Sequence, residues 1–125
     1  MSDSGWKIVF ALAALFNFAA GLPLLLVPAQ ALEAFGMAQQ PMMLFVQVAG
    51  SLIVMFGVSY AMIARNLVLR ELALLGAIGK LLAVVLLTIY WLKSEIPDIP
   101  FYLGFGDLAF ALAFLLFLYS RRTAR

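Results

Sequence analysis

A chain of 125 residues that is 66% hydrophobic and only 11% charged is too apolar to hide its surplus in a water-soluble core of this size. It contains no Cys and no His, which excludes thiol–disulfide chemistry and removes the commonest ligands of haem, zinc and copper and the usual general base. The net charge of +2 is too small for a nucleic-acid-binding protein.

Apolar segments of about twenty residues fill most of the chain. Only two charges interrupt them, Lys80 in the third segment and Asp107 in the fourth. About 20 helical residues cross a hydrocarbon core of about 30 Å. We therefore predict an all-α polytopic membrane protein, a single membrane domain over 1–125. The predicted transmembrane helices cover about 6–27, 42–64, 70–92 and 101–120.

The connections between these spans carry their own signals. Residues 1–5 form a predicted polar leader, and 28–35 a short interfacial helix that Pro28 suits as a first position. A tight turn at 65–66 predicts that the second and third spans are antiparallel neighbours. Two prolines predict that 93–100 is a short, rigid loop. The result is an antiparallel four-helix bundle.

Charges at the helix ends predict the orientation. One side of the bundle collects most of the positive charge: Lys7, Arg65, Arg70, Arg121, Arg122 and Arg125. The opposite side holds mainly acidic residues: Glu33, Glu95 and Asp98, with Lys93. Positive charge accumulates on the cytoplasmic side of a membrane. Both termini are therefore predicted to be cytoplasmic, in a bacterial inner membrane.

Each span carries one polar residue on a stripe of otherwise small or aromatic residues: Asn17, Gln47, Lys80 and Asp107. Small residues let membrane helices approach closely, so these stripes are predicted to face the bundle interior. At about 1.5 Å per residue, the four side chains come within reach of one another in the outer half of the membrane.

A lone charge in a membrane is costly, and pairing removes the cost. We therefore expect an ion pair between Lys80 and Asp107, with Asn17 and Gln47 as further hydrogen-bond partners. This polar cluster would form the floor of a small apolar pocket lined by Phe110 and Phe114. The pair could equally be a structural clip that fixes helix register. Likewise, Asn17 could form a structural hydrogen bond between helices, and Gln47 could be solvated. The two phenylalanines could pack against other helices or contact lipid.

The placement of glycines, prolines and polar residues resembles that of small bacterial four-helix proteins of the DoxX-like family. The residues that carry the resemblance run from the first span to the last: Asn17, Gly21, Pro23, Pro28, Phe35, Gly36, Gly50, Gly57, Gly79, Lys80, Gly106, Asp107, Phe110 and Phe114. This resemblance implies the four-helix fold and a function that depends on partner proteins. Some relatives are subunits associated with quinone-linked oxidoreductases, and others are implicated in redox homeostasis or in the assembly of larger complexes.

The sequence thus predicts a non-enzymatic accessory or structural subunit of a larger respiratory or photosynthetic membrane complex. Its expected partners are membrane lipids and other membrane subunits or further copies of itself, and not nucleic acid. No metal or cofactor is expected to be bound by this chain alone, apart from a lipid or quinone. Two alternatives stay open: a stand-alone binder of a lipid, quinone or other hydrophobic molecule in an outer-leaflet pocket, and a small transporter.

Overall fold

The computed structural model describes residues 1–122, so Arg125 of the predicted basic tail lies outside the described residues. Within this range every regular element is an α-helix. The helices are α1 (Asp3–Leu26), α2 (Pro28–Ala34), α3 (Met43–Arg65), α4 (Arg70–Leu92) and α5 (Asp98–Ser120). All but α2 are long and apolar enough to cross a membrane. The predicted all-α class and the four membrane-length helices are confirmed.

Helix α1 begins earlier than the sequence indicated. The polar leader predicted over 1–5 is wrong, because Ser2 caps the helix and Asp3 is its first residue. The Ser2 hydroxyl accepts a hydrogen bond from the backbone N–H of Gly5 at 3.1 Å, which satisfies one of the free donors of the first turn. An acidic residue in that turn is also favoured by the helix dipole.

Helix α5 also begins earlier, at Asp98 rather than at residue 101, which shortens the predicted loop over 93–100. Pro100 falls in the first turn, where its missing N–H has no helical partner to lose. The Asp98 carboxylate accepts a hydrogen bond from the Trp91 indole N–H at 2.9 Å. This contact ties the start of α5 to the end of α4.

The long helices are arranged as two close pairs. Helix α1 packs along α3, and α4 packs along α5, while contacts between the pairs are much sparser. The turn between α3 and α4 does make them neighbours, yet the main partner of α3 is α1. Glycines explain the close approach of the first pair: a Cβ on Gly50 would stand 2.9 Å from the Gly21 carbonyl oxygen.

Aromatic rings join the two pairs at the end where the chain starts. The Phe10 ring of α1 stacks on Phe114 of α5, with 4.8 Å between centroids, and meets Phe117 edge-on at 4.9 Å. Tyr60 of α3 also contacts Phe114, at 4.9 Å. All four side chains are almost completely buried. At this end the helix pairs therefore share one core, whereas at the end that carries α2 they separate around a cavity.

Candidate functional site

A polar cluster lies where the aromatic core ends and the cavity begins. The Lys80 ammonium donates to Asp107 Oδ1 at 2.6 Å and to Asn17 Oδ1 at 3.0 Å. The Asn17 amide in turn donates to the Ile53 carbonyl oxygen at 3.0 Å. The cluster therefore links all four long helices, with Lys80 as its centre. Its carboxylate and ammonium balance each other in formal charge.

Three aromatic rings surround the Lys80 ammonium. The nitrogen lies 5.1 Å from the ring centroid of Phe16, 5.4 Å from that of Tyr60 and 5.6 Å from that of Phe110. At these distances the electron-rich faces of rings attract a cation. The Lys80 side chain is only 5% exposed as a result, whereas that of Asp107 is 20% exposed. The carboxylate is thus the member of the pair that faces open space.

Two glycines make room for this ring cage. A Cβ on Gly76 would stand 2.5 Å from a ring carbon of Tyr60, and a Cβ on Gly106 would stand 2.7 Å from one of Phe16. Both distances are too short for any real side chain. Gly76 precedes Lys80 by one helical turn, and Gly106 precedes Asp107 by one residue. The rings of the first helix pair can therefore close over the charged residues of the second.

Above the cluster a cavity of about 660 Å³, open to the surroundings, lies between the two helix pairs. Its polar lining is the cluster itself, Asn17, Lys80 and Asp107, together with Tyr60. The walls come from all four long helices and are apolar: Phe16, Ala20, Leu24, Ala49, Leu52, Ile53, Phe56, Gly79, Leu82, Ala83, Leu86, Leu87 and Leu103. Phe35, Met37 and Pro100 contribute at the end that carries α2. The arrangement is an open apolar cavity with one charged, hydrogen-bonding floor.

The predicted pocket lining by Phe110 and Phe114 is wrong. Phe114 is fully buried in the aromatic core, stacked on Phe10. Phe110 packs against that core and against the Lys80 ammonium. Both follow Asp107 along α5, toward the closed end of the molecule, whereas the cavity opens beside Leu103, which precedes it. The physical reason is the direction along α5. The two phenylalanines lie on the same stripe of the helix as Asp107, but the cavity lies on the N-terminal side of Asp107 and they lie on its C-terminal side.

Gln47 is not part of the cluster. Its side-chain amide donates to the Leu25 carbonyl oxygen at 2.9 Å, in the last turn of α1. Carbonyls in a last helical turn lack a partner within the helix, so a nearby amide satisfies one of them. Gln47 therefore fastens α3 to the end of α1 and leaves the floor of the cavity to Asn17, Lys80 and Asp107.

Sequence reasoning missed Tyr60 and Phe16, which enclose Lys80. A signal was present, because Gly76 and Gly106 lie next to the two charged residues and leave gaps that rings on facing helices fill. Within residues 1–122, no three acidic side chains come together as a group of metal ligands would. Asp107 is paired with Lys80 instead.

No protein-family model, no curated protein and no solved structure matches the chain. The likeness to DoxX-like proteins therefore stays a prediction drawn from the residues.

Proposed function

We propose that the chain is a single-domain, antiparallel four-helix protein of a bacterial inner membrane, with both termini in the cytoplasm. Contacts between α1 and α3 support opposite directions: Gly50 lies against Leu24 and Leu25, whereas Gly57 lies against Asn17 and Phe18. Short connections before α4 and α5 favour the same alternation. The basic residues of the described range then lie at the end of the aromatic core, on the cytoplasmic side: Lys7, Arg65, Arg70, Arg121 and Arg122.

The outer surface supports a lipid environment. Large apolar side chains are exposed along all four long helices, among them Leu15, Phe45, Leu75 and Leu116. At the end that carries α2, Trp91 stacks on Phe101 with 4.1 Å between ring centroids, beside exposed Tyr102. Trp and Tyr concentrate at the level of lipid headgroups. This aromatic group would therefore mark the outer boundary of the membrane.

Within that membrane, we propose that the protein binds a hydrophobic small molecule in the cavity between its helix pairs. The observation that carries this proposal is an open apolar cavity of about 660 Å³ whose floor is a charged, hydrogen-bonded cluster. Binding sites for small molecules have this size and this mixture of apolar walls with a few convergent polar groups. Intramembrane charges also concentrate at functional sites.

The closed end of the molecule favours binding over transport. Below the floor, Phe10, Phe114 and Phe117 fill the space between the helix pairs. A molecule in the cavity would therefore enter and leave from the outer half of the membrane. The second candidate function is that of an accessory subunit in a respiratory or photosynthetic complex. That function requires only the helix-packing surface that any such bundle offers.

The experiment is native mass analysis of the protein extracted gently from its own membrane. The binding proposal predicts a chain, alone or with copies of itself, that carries an additional small hydrophobic molecule at one per chain. Stoichiometric companion proteins on a chain with an empty cavity would contradict it and support the accessory-subunit reading.

A further inference from the structure

We propose that the head group of the bound molecule is neutral and donates a hydrogen bond to Asp107, so that the ligand class is a long-chain or polycyclic alcohol rather than an acid. This inference rests on the proposed function, because it assigns the chemistry of the molecule that the cavity takes. The juxtaposition that carries it is the exposed carboxylate of Asp107 beside the enclosed ammonium of Lys80.

The first step is which polar group meets the ligand. Asp107 and Asn17 occupy two donor positions of the Lys80 ammonium, and aromatic rings surround the rest. Asp107 uses only Oδ1 in this bond, and its Oδ2 accepts no hydrogen bond from any residue between 1 and 122. With a 20% exposed side chain, Asp107 presents an acceptor to the cavity. A ligand that complements it must donate.

The second step is charge. Lys80 and Asp107 together are neutral, so the floor has no surplus positive charge to hold an anion. A ligand carboxylate would place a second negative charge beside Asp107 in surroundings of low dielectric constant, where like charges repel strongly. A ligand ammonium would add an unbalanced positive charge beside Lys80. A hydroxyl avoids both costs.

The third step disfavours head groups that can only accept hydrogen bonds. The Asn17 amide already donates one of its two N–H groups to the Ile53 carbonyl oxygen, and the Lys80 ammonium donates two of its three to Asp107 and Asn17. The Tyr60 hydroxyl is packed against α4, 3.0 Å from where a Cβ of Gly76 would stand, and Tyr60 is 1% exposed. An ether or a ketone would leave the Asp107 Oδ2 acceptor unmatched, whichever donor met its own oxygen, whereas a hydroxyl satisfies that acceptor. The apolar walls require that the rest of the ligand be hydrocarbon.

The test uses probes that share a tail and differ in the head. Tritiated dodecanol is bound to the purified chain in phospholipid nanodiscs, and unlabelled dodecanol, dodecyl methyl ether and dodecanoate compete for it; empty nanodiscs give the background. A hydrogen bond to a charged acceptor predicts that dodecanol competes at least about tenfold better than the ether. Dodecanoate should compete no better than the ether.

A matched pair of variants locates the preference. Lys80→Met/Asp107→Leu removes the charged floor, and the alcohol-to-ether ratio should fall close to one. Thr88→Val is the control, since Thr88 lies on the same helix outside the cavity and bonds only to the Val84 carbonyl oxygen. It should keep the full preference. Should the double variant fail to fold, the three probes on the unchanged protein decide the question.

The outcomes separate this inference from the function on which it rests. Saturable binding of all three probes without preference for the alcohol, or with preference for dodecanoate, would overturn the head-group assignment and leave the binding function intact. Absence of saturable binding for every probe would contradict both.

Discussion

At the scale of single residues, Lys80 is the centre of the polar cluster that links the long helices. Its ammonium is held by one carboxylate, one amide oxygen and three rings, contributed by α1, α3 and α5. A buried cation without such partners is strongly unfavourable in a protein interior or a membrane. The cluster therefore fixes the relative position of helices that otherwise meet through apolar surfaces, and Asp107 Oδ2 accepts no hydrogen bond within residues 1–122.

Removal of either charge alone should destabilise the fold. We expect Asp107→Asn and Lys80→Met each to reduce the free energy of unfolding in detergent by about 3 kcal/mol, because each leaves an uncompensated buried partner. The double variant Lys80→Met/Asp107→Leu should recover to within about 1 kcal/mol of the unchanged protein. Exposed Glu95→Gln is the control, with an effect below about 0.5 kcal/mol. Single variants as stable as the unchanged protein would rule out a structural role for the pair.

Much of this cluster could be predicted from the sequence, and the reasons for the failures are physical. Charges in apolar segments and helical depth brought Asn17, Lys80 and Asp107 together. Gln47 was misplaced because its partner is a carbonyl that becomes free only where α1 ends, and apolar periodicity does not locate that end to one residue. Phe110 was placed on the correct stripe of α5 but on the wrong side of Asp107.

At the scale of helices, backbone contact between α1 and α3 creates the first pair. Gly21 and Gly50 face each other there, and a Cβ on Gly50 would stand 2.9 Å from the Gly21 carbonyl oxygen and 2.7 Å from the Leu25 backbone nitrogen. Dispersion forces over such a close contact replace the hydrophobic effect that lipid does not provide. The helix spans were predictable because an uninterrupted apolar run of membrane length indicates a transmembrane helix directly. The choice of partner was not, since every span carries a small-residue stripe.

Two glycine substitutions separate this contact from ordinary helix surface. Gly50→Ala should lower the free energy of unfolding by about 1–3 kcal/mol, because backbone atoms of α1 cannot yield as a flexible side chain would. Gly79→Ala is the matched change in α4, where the nearest atom to the new Cβ is a Phe56 ring carbon at 3.6 Å. It should leave stability unchanged or slightly raised. Equal effects of the two changes on detergent unfolding would refute close packing at Gly50.

At the scale of the whole molecule, two helix pairs meet at an aromatic core and part around a cavity. The core at one end and α2 at the other give the structure two different faces, and the polar cluster lies between them. Nothing in the periodicity of single helices predicts this division, because it depends on which pairs pack closely and which do not. It also places the charge pair at the floor of the cavity.

The proposed orientation is open to labelling, because the chain contains no Cys of its own. Single cysteines replace four exposed residues: Ser4, Gln39, Glu95 and Arg122. In intact cells whose outer membrane has been permeabilised, a membrane-impermeant maleimide should react at the positions of Gln39 and Glu95. It should reach those of Ser4 and Arg122 only after the inner membrane is opened. The reverse pattern would show that both termini lie outside the cytoplasm. Reaction at one terminus alone would show that the number of membrane spans is odd.

The central claim is that the cavity holds a molecule, and filling it is the most direct test. Ala20 lines the cavity, while Ala19 is its exposed neighbour outside the lining. Native mass analysis should find the small molecule on the unchanged protein and on Ala19→Trp, and should find at least about a tenfold smaller bound fraction on Ala20→Trp, because the indole occupies the space that the ligand needs. Equal occupancy of the two folded variants would place the molecule elsewhere and contradict the account.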